Sequence, residues 1–326
     1  MRSINIILWL VFILKSNLVE DGESYISYSI MQKCMSRDWI KFYFYKGPSF
    51  IGSDKSFDEA VYVSFGVPFD NTASYRPGSR FAPLYLRLLS EYLELPREGL
   101  ISLCDLGDLP PTNSLELMLK RVSESAGRIC EEGKIPVILG GEHTLTFASA
   151  QAVEDLDVLV VFDAHLDMRD EFMDTKLNHT TWLRRLIERK KFERLIVIGA
   201  RAYLDEELDY ARGNGVEVIT SREVFLDFYG SMKKIRTLLS GSRKGYISLD
   251  IDVLDPGYAP GVSNPEPGGL TPIHFFQLVE AIAENLMLKG IDLVEVNPLF
   301  DNGVAAANGI YAVYYALLAS ATTTSS

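Results

Sequence analysis

From about residue 60, short apolar runs rich in β-branched residues alternate with stretches in which apolar residues return every three or four positions. The first pattern is typical of buried strands and the second of amphipathic helices. Strands that alternate with helices form a parallel sheet with helices packed on both faces. We therefore predict an α/β fold with about eight strands, at residues 60–65, 100–104, 135–139, 158–162, 195–198, 216–219, 246–249 and 293–296, and with helices that include residues 114–131, 144–153, 179–189, 273–285 and 303–318.

Acidic and imidazole side chains follow three of these strands directly. In a parallel α/β sheet, ligands bind at the edge formed by the carboxyl ends of the strands. The spacing i, i+2 places side chains on one face wherever extended geometry continues. The residues concerned are His143 after strand 135–139, Asp163, His165 and Asp167 after strand 158–162, and Asp250 and Asp252 after strand 246–249.

This set of four carboxylates and two imidazoles predicts a metal site. The chain has only four histidines, His143, His165, His179 and His274, and the first two lie in strand-end acidic clusters. Four acids at one buried edge would repel each other strongly without cations. An oxygen-rich set with imidazole and no thiolate favours Mn²⁺ over zinc or an iron–sulfur cluster. Six ligands fit two ions better than one, whereas His274 is more simply explained as structural.

Four ordered motifs carry a resemblance to a known family. GGEHT (140–144), DAHLD (163–167), SLDIDVLDP (248–256) followed by PGVSNPEPGG (260–269), and DLVEVNP (292–298) are similar to motifs of the ureohydrolases. These are the arginases, agmatinases and relatives that split linear guanidines or amidines. The resemblance covers roughly residues 60–318 and is closest to agmatinases of the archaeal type. It implies a three-layer α/β/α fold, the arginase-like fold, around an eight-stranded parallel sheet, with two Mn²⁺ ions.

The resemblance also implies a role for each site residue. His143, Asp163, Asp167 and Asp250 would hold one ion, and Asp163, His165, Asp250 and Asp252 the other, with Asp163 and Asp250 bridging. Water activated between the ions would attack the guanidinium carbon, and urea and an amine would result. Asp167 would pass a proton toward the leaving nitrogen, His179 would relay protons, and Glu295 would receive the guanidinium. An alternative for His179 is a surface histidine at the start of a helix.

The segment after Asp167 bears on the substrate. Residues 168–179 (MRDEFMDTKLNH) contain Asp170, Glu171 and Asp174, which would repel a substrate carboxylate. We therefore predict that these acids flank a pocket floored by Glu295, and that the substrate is agmatine, a dication. Residues 66–83 also resemble the agmatinase version. The chain departs from the commonest family pattern at Glu142, Thr144 and the Ser263-Asn264 pair.

Other functions remain open at this point. The enzyme could hydrolyse guanidinobutyrate, arginine or formiminoglutamate instead of agmatine. A protein with this fold could also bind metal without turnover and act as a regulator.

Charge and cysteine content restrict partners and location. Lys and Arg total 32 against 44 Asp and Glu, which gives a net charge of −12. This disfavours nucleic acid and suits a small cationic guanidine or divalent metals. Cys34, Cys104 and Cys130 show no CxxC spacing and are interpreted as reduced thiols of a cytoplasmic protein. We expect no stable membrane association, and the family resemblance implies a homotrimer or homohexamer.

The N-terminus departs from the rest of the chain. Residues 4–14 are apolar except for Asn5 and are too short a run to span a bilayer. Translation could begin at Met31 or Met35, the run could be an arm buried in the protein or in an oligomer, or it could belong to a signal peptide, although no small-x-small cleavage site follows. We predict an extension at residues 1–35, a single domain at 36–320 and a polar tail at 321–326.

Overall fold

The computed structural model describes residues 48–53, 55–95, 101–241 and 243–323. The predicted extension, residues 1–35, and the end of the predicted tail, residues 324–326, lie outside the described residues.

Eight strands form one sheet in which every neighbouring pair is parallel. Their order across the sheet is β2-β1-β3-β8-β7-β4-β5-β6. The predicted α/β class and the eight-stranded parallel sheet are thereby confirmed. The strands are β1 (Tyr62–Gly66), β2 (Leu103–Asp108), β3 (Ile135–Leu139), β4 (Val158–Phe162), β5 (Arg194–Ala200), β6 (Glu217–Thr220), β7 (Arg243–Asp250) and β8 (Leu286–Val294).

Helices cover both faces of the sheet, as two separate apolar clusters show. On β4, Val160 and Phe162 pack into one cluster, and Leu159 and Val161 pack into the other, as the two-residue period of a strand requires. The described helices are α1 (Ala82–Ser90), α2 (Leu115–Glu131), α3 (Leu145–Ala152), α4 (Trp182–Arg189), α5 (Asp205–Gly213), α6 (Ser221–Leu226), α7 (Phe228–Leu238), α8 (Pro272–Glu284) and α9 (Val304–Thr323). The first cluster holds residues of α1 and α6 to α9, and the second holds residues of α3 to α5, so the fold has three layers.

The eighth strand differs from its predicted position. It begins at Leu286 rather than at residue 293, because Lys289 and Gly290 interrupt the apolar pattern without ending the strand. A Cβ on Gly290 would lie 2.5 Å from the Tyr246 ring, so glycine is required for these strands to pack. The strand ends at Val294, because Glu295 has φ 61°, a left-handed conformation that an extended strand does not contain.

Helix α9 is, within the described part of the chain, the helix whose length and composition would suffice to cross a membrane. In its window Val304–Ala321, 61% is buried inside the fold, where it packs against α8 and α1. The helix continues to Thr323 and so includes the first three residues of the predicted tail.

Candidate metal centre

The sheet order brings the predicted site segments side by side. Strands β3, β8, β7 and β4 are consecutive neighbours in the middle of the sheet. The site residues lie at or directly after their carboxyl ends. His143 follows β3, Glu295 follows β8, Asp250 ends β7 and Asp252 follows it, and Asp163, His165 and Asp167 follow β4. All the residues predicted from these segments therefore meet at one edge of the sheet.

Two groups of potential ligand atoms share one carboxylate, that of Asp163. His143, Asp163 and Asp250 form one group, and Asp163, His165 and Asp252 form the other. Asp163 Oδ2 lies 3.0 Å from His143 Nδ1, and Asp163 Oδ1 lies 3.3 Å from His165 Nδ1. The geometry thus gives Asp163 one oxygen toward each group, as a bridging ligand needs. Asp250 lies in the first group, with Oδ2 3.1 Å from His143 Nδ1, and its predicted bridging role stays a prediction.

The His143 ring tests whether a cation fits here. Its Nδ1 is buried and has no hydrogen-bond partner among the described residues, although carboxylate oxygens of Asp163, Asp250 and Asp167 lie 3.0, 3.1 and 3.4 Å away. The opposite nitrogen, Nε2, lies 2.9 Å from Ser248 Oγ. A ring nitrogen that faces three carboxylates and hydrogen-bonds none of them is oriented as a metal ligand, so the residues fit the predicted ions.

Electrostatics favour a cation at the same place. Burial, followed by the negative charges of Asp252 and Asp163, raises the pKa of Asp250 well above its ordinary value. Burial and the charge of Asp163 raise the pKa of Asp167 to about 7. Burial alone would lower the pKa of His143, but the surrounding carboxylates raise it well above its usual range. Without a cation, protons must therefore offset the repulsion among these acids.

Asp167 occupies the edge of the first group. Its Oδ2 accepts a hydrogen bond of 2.7 Å from the indole Nε1 of Trp182, whose ring packs 4.5 Å from that of His143. Its backbone has φ 51°, one of several left-handed non-glycine positions. Such a conformation costs free energy and commonly persists at functional sites. The indole fixes the direction of this carboxylate, a contact that sequence analysis missed.

Glu295 is a buried acid directly after β8, with 5% of its surface exposed. Its Oε1 accepts a hydrogen bond of 2.7 Å from the backbone N–H of His143. Burial and the charge of Glu142 raise its pKa to about 8. The structure therefore places Glu295, the predicted guanidinium-binding residue, beside the first ligand group. The backbone of His143 fixes the direction of its carboxylate.

His179 lies before α4 rather than within it, because the helix begins at Trp182. The ring is buried, with Nδ1 3.3 Å from Thr72 Oγ1 and Nε2 3.1 Å from Ser74 Oγ. Burial and the positive charges of His165 and His143 lower its pKa to about 4, so it is neutral near pH 7. This position excludes the alternative of a surface histidine.

Glu142, one of the residues at which the chain departs from the commonest family pattern, has a structural role. Its two oxygens accept hydrogen bonds of 2.7 Å each from the hydroxyls of Thr72 and Thr144 and from the Thr72 backbone N–H. Thr72 Oγ1 in turn accepts a hydrogen bond of 3.1 Å from the backbone N–H of His179. Glu142 therefore positions the loop that holds His179.

A second missed element supports His143 from the side opposite the carboxylates. Ser248 Oγ donates a hydrogen bond of 2.6 Å to Asp292 Oδ1, and the other oxygen of Asp292 accepts from Tyr246 and Thr146. The sequence offers a partial signal, since Asp292 directly precedes the predicted strand 293–296. The structure places it inside β8, where a buried acid requires partners.

The cavity over the site has a volume of about 400 Å³. Apart from the predicted residues, its lining in the described part of the chain includes Tyr75, Arg169, Phe172, Tyr203 and Glu266. Asp170, Glu171 and Asp174 do not line it, so the predicted acidic flank is wrong.

A turn in the segment explains this error. Phe172 and Thr175 exchange backbone hydrogen bonds of 3.0 and 3.1 Å around Met173 and Asp174, which both have positive φ. The turn leaves Asp174 exposed, and Asp170 points away from the cavity, where Arg185 Nη2 donates to its carboxylate at 2.6 Å.

Comparison with known proteins adds independent information. Residues 60–319 match the Arginase family. The chain is 36% identical over 270 residues to the agmatinase of Bacillus anthracis, covering 79% of this chain and 91% of that protein. It is 34% identical over 257 residues to the proclavaminate amidinohydrolase of Streptomyces clavuligerus, covering 74% and 82%. The crystal structure of the agmatine ureohydrolase of Thermoplasma volcanium superposes with a TM-score of 0.77 at 33% identity, covering 85% of this chain and 95% of that one.

Proposed function

Because the chain belongs to the arginase family of binuclear metal hydrolases, we propose that it hydrolyses agmatine to urea and putrescine with two Mn²⁺ ions. One observation carries the proposal: two ligand groups that share Asp163 adjoin a buried acid, Glu295, at the floor of one cavity. The two ligand groups suit metal-assisted hydrolysis, and the buried acid suits a guanidinium. Several similar proteins, including those of Bacillus anthracis and Thermoplasma volcanium, are named for agmatine.

The ligand atoms favour Mn²⁺ because they are carboxylate oxygens and imidazole nitrogens. His143, Asp163, His165, Asp167, Asp250 and Asp252 would hold the ions. When bound, two such ions lower the pKa of a shared water and stabilise negative charge on the reacting centre.

Glu295 would bind and orient the guanidinium. The His143 backbone N–H holds Oε1, so the carboxylate keeps one direction. A cationic guanidinium nearby stabilises the charged carboxylate, and the planar fork of N–H donors matches its two oxygens. The guanidinium carbon is thereby held beside the ligand groups, ready for attack by water.

Asp167 and His179 would move protons. The Asp167 carboxylate would accept a proton from the attacking water and return it to the leaving nitrogen, since Trp182 fixes its direction beside the first ligand group. His179 is neutral and touches the hydroxyls of Thr72 and Ser74, so its ring can exchange protons with the cavity.

A second candidate substrate is a guanidine with a carboxylate at its far end, such as guanidinobutyrate or arginine. The observation that favours it is Arg169, whose side chain lines the cavity. A guanidinium there could pair with a carboxylate.

We further propose that the protein forms a homotrimer or homohexamer and that it is cytoplasmic. Light scattering after gel filtration would test the first, and fractionation of cells that express the full chain would test the second.

Urea release from a substrate panel tests the function. We expect turnover of agmatine after incubation with Mn²⁺ and much slower turnover of arginine, 4-guanidinobutyrate and formiminoglutamate. Metal bound without urea from any of them would contradict hydrolysis and favour a catalytically silent regulator. Faster turnover of 4-guanidinobutyrate or arginine would favour the role of Arg169.

A further inference from the structure

The acids of the site divide into two sets once the proposed ions are considered. Asp167, Asp250 and Asp252 line the cavity, and Asp163 belongs to both ligand groups. When ionised, these four carry four negative charges, which two divalent cations balance. In the described part of the chain, two further acids line the cavity, Glu295 and Glu266. Glu295 lies at the buried floor, whereas the side chain of Glu266 is 39% exposed and lies toward solvent. Two acids therefore remain to complement the ligand.

The positive charge of Arg169 already has partners. Its guanidinium lies 4.9 Å from the centre of the Phe172 ring, and its Nε lies 3.8 Å from the buried carboxylate of Glu207. Both contacts stabilise the cation where it is. The carboxylate of Glu266 has weaker partners. Within the described residues, its ion-pair partner is His165 Nε2, 3.9 Å from Oε1. The neighbouring Arg201 guanidinium donates to the backbone carbonyl of Glu266, and no ion pair joins it to the carboxylate within the described residues.

The backbone at Glu266 is firmly held. Arg201 donates to the Glu266 carbonyl from Nη2 at 2.8 Å and from Nε at 3.3 Å. The same guanidinium donates to the carbonyls of Asp252 and Leu254, which ties the segment to the end of β7. Pro265 and Pro267 restrict φ on either side. The Glu266 carboxylate is thus carried at the cavity by a rigid segment.

We propose that Glu266 binds the terminal ammonium group of the substrate and so selects a guanidine with a second positive charge. This inference rests on the proposed function, because it assumes that Glu295 receives the guanidinium. It replaces the acidic segment 170–174 as the physical reason for a dicationic substrate.

Three guanidines separate charge recognition from structural effects. Agmatine ends in an ammonium, pentylguanidine has a methyl group at the same position, and 4-guanidinobutyrate ends in a carboxylate. Urea release would be measured for the Mn²⁺-loaded full chain, for Glu266→Gln and for Asp170→Asn, a control acid that lies outside the cavity.

We expect Glu266→Gln to lower kcat/KM for agmatine about tenfold, mostly through KM, because a charge pair is lost at a partly exposed position. Turnover of pentylguanidine should stay within about twofold, and that of 4-guanidinobutyrate should rise because a like charge is removed. Asp170→Asn should leave kcat/KM unchanged for all three guanidines.

Two results would overturn the proposal while the proposed function stands. If Glu266→Gln lowered kcat/KM equally for agmatine and pentylguanidine, Glu266 would act through His165. If the variant kept the preference for agmatine over the other two guanidines, Glu266 would not face the ammonium group. No urea from any guanidine with the unsubstituted chain would instead overturn the proposed function, and this inference with it.

Discussion

At the scale of single residues, Asp163 belongs to both ligand groups. It should therefore contribute more to metal binding than an acid that belongs to only one group. Its two oxygens face His143 and His165 separately, whereas Asp252 faces only His165. We predict that Asp163→Asn lowers bound metal below one ion per chain, whereas Asp252→Asn retains about one. Asparagine keeps the size of each side chain, so the loss reports charge. Elemental analysis after gel filtration measures it, and equal metal content in the two variants would contradict the shared position of Asp163.

His179 makes a prediction about pH. Its folded pKa of about 4 lies below the ordinary histidine value of 6.5, so its neutral form contributes stability that is complete above pH 6.5 and is lost as the pH falls. By pH 4, the metal-free chain should lose up to about 3 kcal/mol of unfolding free energy from this residue.

Urea denaturation of His179→Gln between pH 8 and pH 4 checks this prediction. The variant should lose less stability across that range than the unsubstituted chain, because glutamine does not titrate. Parallel losses in the two proteins would show that the histidine titrates normally.

At the scale of secondary-structure elements, the segment after β3 is constrained by a glycine. A Cβ on Gly141 would lie 1.9 Å from the backbone oxygen of Phe69, and the Gly141 carbonyl accepts a 2.9 Å hydrogen bond from Glu295 N–H. Backbone cannot yield as a side chain can, so Gly141→Ala should lower the unfolding free energy by roughly 1–3 kcal/mol and reduce turnover by displacing Glu295.

Gly127→Ala is the matched control for this substitution. Gly127 lies within α2 with no atom within 4 Å of an added Cβ, so alanine there should stabilise the chain by about 0.5–1 kcal/mol. If Gly141→Ala were equally harmless by thermal unfolding, the close approach to Phe69 would be wrong.

Strand ends could be predicted from the sequence, but loop directions could not. Buried parallel strands are continuous apolar runs, so the acids that follow β4 and β7 are visible as breaks in those runs. The direction of Asp170 depends on the turn at Met173 and Asp174, two residues with positive φ. Such a turn usually contains Asn-Gly, and Met-Asp gives no comparable signal. The sequence therefore predicts acids at the cavity in the wrong segment, residues 170–174. Glu266, which does line the cavity, lies in a loop rich in proline and glycine that gives no such signal.

At the scale of the whole molecule, the acids and histidines of the site predict that metal stabilises the fold. Cations that bind only the folded chain raise its unfolding free energy according to their concentration relative to Kd, by about 2.7 kcal/mol for each of the two ions at a hundredfold excess. For a chain of this length, we expect Mn²⁺ to raise Tm by roughly 5–10 °C after dialysis against a chelator.

Calorimetry of the chelated and reloaded chain measures that shift. The shift should shrink toward pH 5, because protons compete for the same ligands. Asp163→Asn should show a smaller shift at every pH. An unchanged Tm on metal addition would contradict a site formed by folding.

The position of β8 in the sheet has a consequence for how the molecule assembles. Strands β1 to β3 adjoin one another, as do β4 to β7. Strand β8, the last strand in the described part of the chain, inserts between β3 and β7. A growing chain can therefore pair each set early, but joins them only after residues 286–294 have been made. The ligand group of Asp163, His165 and Asp252 belongs wholly to the second set, whereas the group with His143 spans both. We therefore expect the ligand group of Asp163, His165 and Asp252 to be complete before the group that contains His143, whose members meet only once β8 has joined the two sets of strands.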